Sequence, residues 1–274
     1  SRAPILFDPF VSTYDTLAGD RGRVAEGSLA ARALRALDGR ALGQATLNLS
    51  DTQAHAAYYA AAFGVPPGKL ATLYLGCDEA HFFPRPAARG DRFVVFTYST
   101  YLPLHGMTTI VEAAQRCLGY PIEFRLVGSS GPTLANARAR AQALGLTNVT
   151  FAPSLPFAAL PDAIAAADLC LGGHFGTSAK SQRVIAGKTY QFIAMGKPVI
   201  LADNAANREL FEAEVSAAFC PPGDPDRLAQ TILTLYHAPD LRRTLAENAL
   251  ALYRRRLTWQ RLGADLLAQA QRLL

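Results

Sequence analysis

Charge is scarce in this 274-residue chain: Asp, Glu, Lys and Arg make up 18% of it, and 27 basic residues face 22 acidic ones, a net charge of +5. So mild an excess, with no basic stripe interleaved with aromatics, argues against nucleic acid as a partner. It remains compatible with an anionic substrate or an acidic membrane surface, hence with a peripheral membrane contact. Cysteines are few and scattered: Cys77, Cys117, Cys170 and Cys220 form no pair with metal-ligand spacing. Reduced, buried thiols are the expectation. No apolar run reaches the ~20 residues of a membrane span, and no extended apolar core follows Arg2. A cytoplasmic location is therefore expected, with the inner face of the membrane as a place of work.

Half of the residues are apolar, enough for a full core. Their pattern alternates short apolar runs with longer helical stretches. Strands are expected at 5–7, 45–49 and 70–75, with helices at 21–37 and from Ser50 or Asp51, as cap, to Phe63. Gly64-Val65-Pro66-Pro67-Gly68 stops the latter. The Pro-rich, polar segment around Pro84-Arg85-Pro86 reads as a linker. Beyond it strands are expected at 93–98, 124–127, 149–151, 169–171, 198–201 and 217–219. Helices are expected at 107–117, 134–144, 160–166, 188–194 and 205–214, and three more close the chain. Strand–helix alternation with short connections implies an α/β fold with a parallel sheet covered on both faces. Ligands of such sheets bind outside the carboxyl ends of the strands, so the loops there are the places to look.

Two of these loops carry most of the chemistry. The segment GGHFGTSAKSQRVIAGKTYQFIAMGKPVI starts at Gly172 and ends at Ile200. Its helix begins near Lys188 and presents free amides and a positive dipole end, suited to a phosphate. Lys180, Arg183 and Lys188 add cations. An irregular solvated loop with ordinary surface charges is the competing reading, and the pattern alone leaves both open. The second segment, FTYSTYLPLHGMTTIVEAA, runs strand, polar loop, glycine, helix. Thr97, Ser99, Thr100, Tyr101 and His105 offer hydrogen-bonding side chains, and Gly106 lets a ligand approach the backbone. Neither this loop nor Gly128-Ser129-Ser130-Gly131 matches the dinucleotide fingerprint, which argues against an NAD enzyme.

GKTYQFIAMGKPVI, preceded by TYSTYLPLHG and ADLCLG, resembles the donor domain of the retaining glycosyltransferases of family four (glycosyl transferases group one). NRELFEAE, PPGDPDRLAQTI, Leu257-Thr258-Trp259 and the upstream YLGCDEAHFFP fit the same template in order, so the resemblance covers nearly the whole chain. It implies a GT-B fold: a Rossmann-type doubly wound donor domain facing an N-terminal acceptor domain across a cleft. On that template residues 1–84 are a partial acceptor domain, 85–257 the nucleotide-sugar domain, and 258–274 a helix crossing back. The front of the acceptor domain is expected to be missing, or supplied by a complementing N-terminal chain; a homo-oligomer is the other assembly expected. The family's paired glutamates fall on Arg183 and Gln191. Gln191 keeps a hydrogen-bonding group for the donor ribose, while Arg183 would turn to the diphosphate.

The resemblance implies a metal-independent, retaining transfer of sugar from a UDP- or GDP-sugar to a saccharide or lipid-linked acceptor, with no cofactor. Arg183 and Lys188 are the expected catalytic cations, stabilising the departing diphosphate. Ser99, Thr100, Tyr101, His105, Gly106, Ser129, Lys180 and Gln191 are expected to bind the donor. Asp8 and Ser12, in FDPFVSTYD with Asp15, are candidates for the acceptor. Asp224-Pro225-Asp226 looks like a metal-binding Asp-X-Asp but precedes a helix, so capping is expected of it instead. His174 is either a cleft residue or a structural histidine. Two rivals stand beside this reading: a nucleotide-binding half inactive by itself, and a sugar-nucleotide epimerase of the same architecture.

Overall fold

The computed structural model describes residues 3–87, 90–128 and 131–273. It begins with a small parallel sheet. Strand β1 (Leu6–Phe7) leads through a one-turn π-helical segment, Asp15–Asp20, to helix α1 (Leu29–Gln44). Strand β2 (Leu47–Ser50), helix α2 (Gln53–Phe63) and strand β3 (Leu70–Thr72) follow, and the sheet order is β1-β2-β3. Two local expectations need correcting. The first helix starts at Leu29 rather than near Arg21, because Gly22 and Gly27 sit at positive φ and Ser28 accepts the Ala31 amide as N-cap. The second is capped by Thr52, whose hydroxyl accepts the His55 amide, while Asp51 binds the His55 ring at 2.6 Å. Gly64 closes α2 at φ +68°, in the left-handed region glycine tolerates.

A larger sheet follows, built from β4 (Phe93–Ser99), β5 (Ile122–Gly128), β6 (Val149–Pro153), β7 (Leu169–Leu171), β8 (Val199–Ala202) and β9 (Ala218–Cys220). Its order is β6-β5-β4-β7-β8-β9, every pairing parallel. The helices between strands are α3 (Met107–Arg116), α4 (Pro132–Ala143), α5 (Leu160–Ala165), α6 (Gly187–Ala194) and α7 (Ala205–Arg208). After β9 come α8 (Pro225–His237), α9 (Pro239–Arg256) and α10 (Trp259–Gln271). The order reverses between β4 and β7, which makes their carboxyl ends the switch point of a doubly wound sheet. Alternate residues of β4 face opposite cores: Phe93 and Val95 pack with Ile110, Ala114 and Leu228, while Val94 and Phe96 pack with Ile193, Ala249 and Tyr253. That two-sided burial is why the strand reads as continuously apolar.

Helix α7 is shorter than its expected span of 205–214. Leu210 and Phe211 turn into the core, and Glu214 takes positive φ. Asp224 accepts the Arg227 amide and caps α8, the role expected of it. All four cysteines are free and buried. Among the described residues no helix is long and apolar enough to cross a membrane.

Contacts tie the two sheets together. Cys77 and Phe82 already pack in the core of the larger sheet, ahead of the Pro-rich segment. Glu209 accepts the Gln53 and Ala54 amides, each at 2.7 Å. A carboxylate from one unit thereby occupies the positive end of a helix in the other. The Thr52 hydroxyl donates to the Arg183 carbonyl. Helix α10 returns to the small sheet, where Leu262 and Arg261 flank a groove with Thr72 and Tyr74.

Candidate functional site

A cavity of about 340 Å³ opens at the switch point. Tyr98, Ser99 and Thr100 line it from the end of β4, Val127 and Gly128 from β5, and Ser154 and Leu155 from the loop after β6. His174 comes from the loop after β7, His105 from the turn before α3, and Ala186, Gly187 and Lys188 from the start of α6. The two loops singled out in the sequence thus meet here because the strand order makes β4 and β7 neighbours.

Lys188 is the cavity's cation. It is buried, its amine donates to the Tyr98 carbonyl at 3.2 Å, and burial lowers its pKa to about 8. Among the described residues no carboxylate lies within ion-pairing distance of it, and no acidic side chain lines the cavity. Lys188 lies in the first turn of α6, where the Thr189 amide already donates to the Ala186 carbonyl and the amides of Gly187 and Lys188 precede the first intrahelical bonds.

The histidines stack. The rings of His105 and His174 lie 5.3 Å apart with 18° between their planes. Nδ1 of His105 accepts from the Leu102 amide at 3.1 Å and from the Ser99 hydroxyl, which itself receives the Tyr101 amide. The ring proton of neutral His105 therefore sits on Nε2. Burial, then Lys188 and His174, lower the His105 pKa to about 2; burial, then Lys188 and Lys180, lower that of His174 to about 3. Both rings are neutral at pH 7. His174 was open in the sequence between cleft and structural roles; it lines the cavity.

The other cations of the loop are engaged elsewhere. Arg183 donates to Asp15 at 2.5 Å and covers the Tyr58 ring at 3.9 Å. Lys180 donates to the Thr16 hydroxyl at 2.8 Å, and Ser178 to Asp20 at 3.2 Å. Burial lowers the Lys180 pKa, and Asp15 and Asp20 partly offset that. Neither Lys180 nor Arg183 lines the cavity, so the expected three-cation cluster is divided, with Lys188 alone facing in. Gln191 accepts from the Tyr98 hydroxyl one turn further along α6.

Two donor-loop expectations change meaning. Tyr101 is a core residue: its ring packs on Gly128, its hydroxyl donates to the Leu126 carbonyl, and it is 3% exposed. Gly106, at φ +66°, is where the Phe175–Gly176 backbone crosses, and that chain rather than a ligand would meet an added Cβ. Ser129 lies outside the described residues. Near the small sheet, Ser12 is buried, donates to Asp38 at 2.6 Å and accepts the Asp15 amide. Asp8 is exposed and accepts the Phe10 amide. Asp15 and Glu209 are the residues sequence reasoning missed as tethers between the two units; both lie in mixed polar stretches that give no local signal.

A doubly wound parallel sheet with a cavity at its switch point, lined among the described residues by one lysine and no acidic side chain, places the chain among α/β proteins of Rossmann type. The chain belongs to the glycosyl transferases group 1 family, whose model matches residues 78–251. Among solved structures it is similar to Anabaena HepE, determined in complex with UDP and glucose: TM-score 0.80, 19% identity, covering 98% of this chain and 71% of that one. It is also similar to sucrose-phosphate synthase of Thermosynechococcus elongatus (TM-score 0.78, 20% identity, 98% and 67% covered). The C-terminal domain of LpcC from Francisella tularensis matches a smaller part (TM-score 0.57, 16% identity, 66% and 98% covered). These likenesses show the shared GT-B fold. No curated protein matches the sequence.

Proposed function

We propose that the protein transfers a glycosyl group from a nucleoside diphosphate sugar to a saccharide or lipid-linked acceptor, with retention and without a metal ion. The observation that carries this reading is Lys188: a buried ammonium with no carboxylate partner among the described residues, at the amino end of α6, in a cavity at the switch point. A buried charge without a counter-ion costs free energy; an arriving diphosphate supplies the missing partner. The diphosphate gathers negative charge as the glycosidic carbon departs, so fixed donors aimed at it favour the transition state. His105 Nε2–H and the leading amides of α6 are neutral donors beside that cation. The apolar end of the cavity, with Val127, Leu155 and Leu160, suits a base. UDP is the first donor nucleotide to test, since the HepE structures hold UDP, UDP-glucose, or UDP and glucose.

Metal independence is part of the proposal, with Lys188 and the first amides of α6 carrying the diphosphate charge. Among the described residues no group of three or more His, Cys, Asp or Glu is placed to hold a metal ion. Thermal-shift titration with UDP, GDP and their nucleosides, with EDTA and then with magnesium or manganese, tests the reading. Stabilisation by a diphosphate, unchanged by EDTA, is expected. No stabilisation by any nucleoside diphosphate would overturn the site; loss in EDTA restored by metal would overturn the metal-free mechanism.

A further inference from the structure

The cavity holds two neutral imidazoles and one ammonium, with no acidic side chain among the described residues lining it. The two imidazoles are not equivalent. Nδ1 of His105 is engaged twice, by the Leu102 amide and the Ser99 hydroxyl, so that nitrogen cannot gain a proton without losing the Leu102 contact and turning the Ser99 hydroxyl from donor to acceptor. Nδ1 of His174 is buried and has no hydrogen-bond partner. A buried polar nitrogen without a partner is costly and uncommon. The charged groups facing the pair are Lys188 from α6 and, toward His174, Lys180 from the same long loop. Both disfavour a charged ring, as does burial. A diphosphate entering the cavity would act in the opposite direction, because a negative charge close to a ring favours its cationic form.

We propose that His174 takes up a proton from solvent when a nucleoside diphosphate binds, so that the stacked pair becomes one neutral and one cationic ring and His174 adds a second positive charge on the phosphate. The proton comes from the buffer and goes to the free imidazole nitrogen of His174; His105 stays neutral and holds the cationic ring by stacking. This rests on the reading of the cavity as a diphosphate site, and it makes donor affinity sensitive to pH near neutrality.

Calorimetry of UDP binding at pH 7, in buffers of differing ionisation enthalpy, measures the protons exchanged. Uptake approaching about one proton per UDP is expected for the unmodified chain. Ionisation of the UDP phosphate releases protons and so cannot imitate this result. Uridine should bind without uptake. His174→Asn should bind UDP more weakly with the uptake lost, whereas His105→Asn should retain it. Because His174→Asn could disturb the loop, imidazole nitrogen shifts of His174 by NMR, without and with UDP, read its charge in the unmodified chain. UDP binding with no proton uptake, a neutral His174 in the complex, or uptake persisting in His174→Asn would each overturn the inference and leave the diphosphate site standing. No binding heat with any nucleoside diphosphate would remove the site itself, and this inference with it.

Discussion

Asp15 and Arg183, 168 positions apart in the sequence, meet at 2.5 Å in an ion pair, buried on the carboxylate side, that fastens the small sheet's segment to the loop leading into α6. The pair is one-armed: Asp15 Oδ2 and Arg183 Nε are buried without partners. Its neighbours repeat the arrangement, Thr16 with Lys180 and Asp20 with Ser178. The loop is therefore held from the side of the small sheet, and Lys188 is left to the cavity.

Arg183→Ala should unfold more easily than the parent, by about 3–5 kcal/mol, since it strands a buried carboxylate. Asp15→Ala with Arg183→Ala should cost less than the two single losses added together. Urea unfolding of the four proteins measures this. Equal, near-parental stabilities would show that the pair does not tether the loop.

Lys188→Met should weaken UDP binding by roughly ten- to a hundredfold, the loss of a charge-assisted hydrogen bond of about 1.5–3 kcal/mol, and leave uridine binding nearly unchanged. Gln191→Ala should weaken both ligands alike if Gln191, with Tyr98, serves the ribose. Calorimetry with uridine and UDP separates the two roles; equal effects of both variants on both ligands would refute the assignment.

The pH dependence of Lys188 has opposite signs for binding and folding. Its ammonium is lost above about 8, so UDP affinity should fall roughly fivefold between pH 8 and 9. In the unliganded protein the unfolded chain binds the extra proton between about 8 and 10.5, so this lysine's contribution to stability rises across that window. Lys188→Met should flatten the stability trend and remove the lysine's share of the affinity trend. A parent whose UDP affinity does not change between pH 7 and 9 would contradict the placement of the charge.

Glu209→Ala should cost about 0.5–2 kcal/mol, the range of a lost helix cap, because the Gln53 and Ala54 amides lose their acceptor. The effect should appear as a lower Tm. An unchanged Tm would mean that the contact between the sheets contributes nothing to stability.

Much of the larger sheet was legible. Phe93, Val94, Val95 and Phe96 are apolar on both sides because both faces of a parallel sheet are covered, and the helices between the strands began near where expected, with α7 ending early. The small sheet's edges were less so. The extent of α1 depended on Gly22 and Gly27 taking positive φ, a backbone choice that the spacing of Ala and Leu does not report.

The sequence by itself determined the alternation of strand and helix, the family and the two loops that bear polar and basic residues, since these depend on local pattern and on residue order. Only the tertiary structure decided what those residues face. Lys180, Arg183 and Lys188 are alike as a string, yet two turn to Thr16 and Asp15 and one to the cavity. Tyr101 sits in a polar loop yet fills the core, and Gly106 is reserved for the chain crossing at Phe175. The reason is physical: a charge or a glycine takes its role from the group it meets, and those groups come from strands that the sheet order, not the sequence, makes neighbours.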